Sequence, residues 1–68
     1  VPTLEYEINN KQLKYRWTEI VDDFDMPIQV TIDAKKQWIF PNAEWKMMAI
    51  ESDSIEIDPN FYVYSEEL

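Results

Sequence analysis

The chain is predicted to be all-β, a small sandwich or barrel of short strands, and three observations carry that prediction. Turn-forming Asn, Asp, Pro and Ser residues interrupt the sequence about every 6 to 13 positions, a spacing that suits strands and is too short for helices. Between the interruptions, apolar residues alternate with polar ones, the period of a half-buried strand. Glycine is absent, so every turn rests on residues that tolerate or preset turn dihedrals.

Each element follows from the alternation. Leu4, Tyr6 and Ile8 alternate with Glu5 and Glu7, and Leu13, Tyr15 and Trp17 with Lys14, Arg16 and Thr18. The two segments constrain each other, because a slip of one residue would set one apolar set against the other's polar face. A loop from Asn9 to Gln12 places Ile8 opposite Leu13, Tyr6 opposite Tyr15, Glu7 opposite Lys14 and Glu5 opposite Arg16. Apolar then meets apolar and acid meets base, each pair contributing about 0.2–1 kcal/mol. A two-residue turn at Asn9-Asn10 also keeps the faces aligned but pairs fewer charges.

Ile28, Val30 and Ile32 alternate with Gln29 and Thr31 and form the third strand, ending at a turn over Asp33 to Lys36. Gln37 to Phe40 and Trp45 to Ile50 carry large apolar residues on both faces, as in strands covered on two sides. A short helix over Ala43 to Ile50 is the rival on propensity. The segment is short and Trp-laden, which favours strand. Ile55 and Ile57, then Phe61 and Val63 with Tyr62 and Tyr64 opposite, complete the set as one bent strand or a hairpin over Asp58-Pro59-Asn60.

Size bounds what such a domain can do alone. Sixty-eight residues make one domain, folding to about 4,500 Å² of accessible surface. Its apolar burial, on the order of 100 kcal/mol, is offset almost fully by the cost of ordering the chain. Small domains with that balance usually carry a staple, and here both Cys and His are absent. A neighbouring domain or subunit is the remaining support. The start at Val1, without Met, reads as a piece cut from a larger protein.

Charge narrows the partners. Fourteen acids against six bases give −8, which opposes the phosphate neutralisation that nucleic-acid binding needs and disfavours anionic membranes. No apolar run is long enough to span a bilayer, so no membrane insertion is expected. The compartment stays unassigned, since a chain without Cys suits oxidising and reducing surroundings equally.

Catalytic candidates are weak. The acid pairs Glu66/Glu67, Glu5/Glu7 and Asp22/Asp23 read as solvated turn or tail charges, since nothing in the sequence supplies a pocket to separate their pKa values. Without His there is no Ser-His triad, and Ser52, Ser54 and Ser65 lie among acids in turn or terminal contexts. Asp22, Asp23 and Asp25 form an oxygen-rich cluster, joined by Asp53 and Asp58 only if the fold brings them near. Their spacing does not match an EF-hand loop, and its turn Gly is missing. No catalytic or metal-ligating residue is therefore assigned.

The aromatic residues carry more information. Three Trp, four Tyr and three Phe exceed what so small a core needs. Tyr6, Tyr15 and Trp17 share the apolar phase of the first hairpin and belong in or near the core. For Trp38, Phe40 and Trp45, core comes first, with a protein interface and a sugar-stacking platform as alternatives. Tyr62 and Tyr64 lie opposite the apolar phase of their strand, where an exposed face is expected. The five residues Trp38, Phe40, Trp45, Tyr62 and Tyr64 are the candidate interface set.

Three stretches point further: Leu13-Lys14-Tyr15-Arg16-Trp17 running on to Phe24-Asp25-Met26-Pro27, Lys36-Gln37-Trp38-Ile39-Phe40-Pro41 with Glu44-Trp45-Lys46, and Ile57-Asp58-Pro59-Asn60-Phe61-Tyr62. With the opening Pro2-Thr3-Leu4-Glu5-Tyr6, they resemble the C-terminal β-domain of bacterial zinc metallopeptidases of the aminopeptidase N type. The resemblance spans nearly the whole chain and rests on ordinary residues, without a catalytic signature. It implies an immunoglobulin-like sandwich of about six or seven short antiparallel strands. It also implies an accessory domain, residues 1–68, that packs on and supports an upstream catalytic region of the same chain. The family's His-Glu-x-x-His zinc signature has no counterpart here, so zinc, peptide substrate and hydrolysis would all belong to that upstream region. A freestanding binding module for carbohydrate or peptide is the alternative. An exported or cell-envelope location follows only if the parent is itself exported.

Overall fold

The computed structural model describes residues 1–21 and 23–68. Seven strands form: β1 (Thr3–Asn9), β2 (Gln12–Thr18), β3 (Ile28–Ile32), β4 (Lys35–Ile39), β5 (Lys46–Ala49), β6 (Glu56–Ile57) and β7 (Tyr64–Glu67). They make two sheets, ordered β5-β2-β1-β7 and β4-β3-β6. The orders β5-β2-β1 and β4-β3-β6 reproduce E-B-A and C′-C-F of an immunoglobulin-type sandwich. No helix forms among the described residues, and Lys46–Ala49 is a strand, as the sequence favours.

The alternation explains the core. Leu4 of β1, Leu13, Tyr15 and Trp17 of β2, Ile28, Val30 and Ile32 of β3, and Ile39 of β4 are buried between the sheets, with Ile50 just past β5. Tyr6, Ile8, Met48, Ile57, Phe61 and Val63 pack around them. The folded surface is 4700 Å². Tyr15 and Tyr6 show the electrostatic consequence of this placement. Burial pushes the phenol pKa of both upward, and the Glu67 carboxylate adds to the rise at Tyr6.

The β1–β2 register has the expected pairs Glu5↔Arg16, Tyr6↔Tyr15, Glu7↔Lys14 and Ile8↔Leu13. Its turn is tighter than the four-residue loop from Asn9 to Gln12. Asn9 pairs with Gln12, leaving Asn10 and Lys11 as a two-residue connection with φ of 52° and 59°. Two consecutive left-handed residues match the right-handed twist of a hairpin. Asp33 and Ala34, at φ 54° and 64°, close β3 onto β4 in the same way, so β4 begins at Lys35 and not beyond Lys36.

Ala34 has no side-chain group to compensate the clash of its Cβ in the left-handed region. Ala34→Gly is therefore expected to raise stability by about 1 kcal/mol, measured by chemical denaturation. An unchanged or lowered midpoint would show that Ala34 carries no such strain.

Two expectations about the second half need correction. The chain does not continue as one bent strand or hairpin through Phe61–Tyr64. The Asn60 amide donates to Asp58 Oδ1 at 2.9 Å and the Phe61 amide to the Asp58 carbonyl at 3.0 Å, which closes a tight turn. The chain then crosses to the other sheet. There Tyr64–Glu67 pairs with β1 in parallel, the exception among otherwise antiparallel pairings. β4 and β5 are not covered on two sides either. Both are edge strands of a two-layer sandwich, and their outward residues Trp38 and Met47 meet no third layer.

The two sheets are also tied by polar contacts. The Asp33 carboxylate, on the β3–β4 turn, accepts the Glu51 amide at 3.0 and 3.1 Å and the Ser52 amide at 2.6 Å, just beyond β5. These backbone donors, foremost Glu51, hold the Asp33 carboxyl below the usual carboxylate range. A lowered folded-state pKa adds stability above the unfolded value, and that stability is lost as pH falls through the folded one. Stability of the wild type relative to Asp33→Asn should thus shrink as pH falls below 3.8 toward the lowered value. Parallel pH profiles for the two proteins would exclude this role.

Candidate functional site

The outer face of the β5-β2-β1-β7 sheet is built by the polar phase of its strands. Glu5 and Glu7 of β1 stand opposite Arg16 and Lys14 of β2, and Met47 of β5 lies opposite Lys14. Arg16 donates from Nε and Nη2 to Glu5 Oε1 at 2.8 and 2.7 Å, and Lys14 Nζ sits 3.4 Å from Glu7 Oε1. Trp45, just before β5, completes the row. The Arg16 guanidinium carbon lies 4.4 Å from its ring centroid and Lys14 Nζ 4.7 Å. Each cation is thus shared between a carboxylate and an indole face, which orders Trp45 before any partner arrives. Tyr64 of β7 lies opposite Thr3 on the same face and is exposed.

The outer face of the β4-β3-β6 sheet is different in kind. Lys36 and Trp38 of β4 stand opposite Thr31 and Gln29 of β3, and Glu56 of β6 flanks Thr31 from the other side. Alternation continues past the end of β4, with Ile39 and Pro41 buried and Phe40 exposed. Trp38 is 52% exposed and Phe40 57%. Trp38 touches Phe61 edge to face, with centroids 5.6 Å apart and planes at 79°. The Lys46 ammonium donates to the Phe40 carbonyl, joining the edge of one sheet to the end of the other.

Core placement of Trp38, Phe40 and Trp45 is corrected by these positions. All three are on the surface, because each falls on an outward phase or beyond an edge strand where two layers supply no cover. Tyr62, 83% exposed, and Tyr64 are outward as the alternation predicts. The five candidates do not form one site. Trp45 and Tyr64 belong to one sheet's outer face and Trp38 to the other's.

A depression of about 350 Å³ is lined by Asp23, Phe24, Asp25, Asn42, Ala43 and Glu44. It brings carboxylates near one another without a hydroxyl or amine nucleophile. No three His, Cys, Asp or Glu side chains among the described residues converge closely enough to hold a metal ion. Asp22, the first member of the acidic cluster, lies outside the described residues. Asp58 instead serves the turn before Phe61.

Sequence reasoning missed one interaction on these faces. Arg16 and Lys14 were legible as partners of Glu5 and Glu7, but their stacking on Trp45 joins residues from β2 and the β4–β5 connection, which no local pattern relates. No protein-family model matches this chain, and no curated protein or solved structure does so.

Proposed function

We propose that this chain is a non-catalytic accessory domain that packs on and supports the catalytic region of a zinc aminopeptidase. The observation carrying the reading is the exposure of large aromatic residues on a two-layer sandwich that has little core to spare. Trp38, Phe40, Tyr62 and Tyr64 are all more than half exposed, and aromatic anchors of this kind are enriched where protein surfaces meet. The resemblance of the three stretches named above supplies the kind of partner. The absence of His leaves the zinc and the peptide hydrolysis to the upstream region.

The test is the product of the complete reading frame. It should bind zinc, release N-terminal amino acids from peptides, and lose thermal stability when residues 1–68 are deleted. A reading frame without an upstream metallopeptidase region, or a product whose unfolding midpoint ignores that deletion, would end the proposal.

A further inference from the structure

We infer that β7 is a releasable strap: Tyr64–Glu67 leaves and rejoins the edge of β1 while the rest of the sandwich stays folded. The inference concerns the domain itself and does not rest on the zinc-peptidase reading.

Side-chain anchoring separates β7 from the other strands. Even the remaining edge strands are tied to the core, since Ile39 of β4 is buried and Met48 of β5 and Ile57 of β6 pack against it. β7 is not. All four of its residues are exposed, and the register with β1 gives the reason. Ser65 and Glu67 stand beside Leu4 and Tyr6, on the phase that faces the core, and both are polar. Closing the strand therefore removes little apolar surface of its own from water. An inward-pointing charge is also one of the ways in which edge strands limit pairing.

What holds β7 is backbone. The Tyr64 amide donates to the Pro2 carbonyl at 3.1 Å and the Leu68 amide to the Tyr6 carbonyl at 2.8 Å. Water replaces such bonds at small net cost, and a parallel ladder is slightly weaker per residue than an antiparallel one. The outer phase adds no attraction. Glu66 stands beside Glu5, a like-charge neighbour, and no ion pair among the described residues reaches Glu66 or Glu67.

The point of release is equally defined. Phe61 and Val63 pack against the core, and the Val63 amide donates to the Phe61 carbonyl at 3.1 Å, so the chain is anchored up to Val63. Every buried core residue precedes Tyr64. A segment with so few buried contacts opens at a lower free energy than the domain unfolds. Release bares the backbone of β1 from Thr3 to Tyr6. In the closed form β7 occupies that edge, so another strand is added there only after release.

Hydrogen exchange of the complete reading-frame product, read by mass spectrometry of its peptides, tests the strap. After correction for intrinsic rates, amides of residues 64–68 are expected to exchange about a hundredfold faster than those of residues 13–17 in β2. Rates within about threefold of each other, whether both slow or both fast, would show that β7 opens only with the whole domain and would overturn the inference. Glu67→Val places an apolar β-branched residue on the inward phase and should slow exchange at 64–68 about fivefold, leaving 13–17 unchanged. Equal slowing of both segments would again mean global opening. No slowing at 64–68 would overturn the claim that the polar inward phase is what sets β7 loose.

Discussion

Trp17→Ala is expected to cost about 3–5 kcal/mol, enough to unfold a domain of this size in the absence of a partner. Trp17 is 1% exposed and is the largest fully buried side chain. Its role exceeds volume. The indole Nε1 donates to the Met26 carbonyl at 3.0 Å, its ring meets Phe24 edge to face at 5.7 Å, and its amide donates to the Asn42 carbonyl at 2.8 Å. One residue of β2 thus holds both the segment entering β3 and the segment leaving β4. Trp17→Phe should fall between, since it keeps most of the packing but strands the Met26 carbonyl. Urea denaturation monitored by far-UV circular dichroism reads both. A loss below 1 kcal/mol in Trp17→Ala would mean that the three segments are held by other contacts.

The second largest effect is expected at Arg16. Arg16→Ala removes both hydrogen bonds to Glu5, whose side chain is only 17% exposed, and one of the two cations on Trp45. A carboxylate left half-buried without its partner, together with lost stacking and lost aliphatic cover, costs about 1–2 kcal/mol after allowing for solvent screening. Arg16→Lys should recover only part, because a compact ammonium lacks the guanidinium's flat stacking surface and its several fixed donors. A double-mutant cycle with Trp45→Ala separates the indole's share. Additive effects in that cycle would show that the stacking contributes nothing to stability.

Local alternation made the central strands legible. Leu4, Leu13, Tyr15, Trp17, Ile28, Val30 and Ile32 are core residues in the sequence pattern and in the structure. The Glu5–Arg16 and Glu7–Lys14 pairs follow from matching two adjacent patterns. The pattern failed where period two has no neighbour to check it. Trp38, Phe40 and Trp45 look like core because they are large and apolar, but their burial depends on whether their strands are central or edge. Tyr64–Glu67 has no apolar alternation, and backbone pairing alone places it, with the Tyr64 amide donating to the Pro2 carbonyl and the Leu68 amide to the Tyr6 carbonyl.

By itself, then, the sequence determined that this protein is a two-sided β structure with a given inward phase, a given first-hairpin register and no histidine for zinc. Those properties are local, decided by residues one or two positions apart or by composition. Which strands lie at the edges, and that Trp45 is covered by cations while Trp38 stays half exposed, follow from contacts between segments distant along the chain. The physical reason is that solvent exposure and charge pairing belong to neighbours in space. For Trp38 and Trp45 those neighbours come from β3, the segment around Phe61, and β2, all distant along the chain.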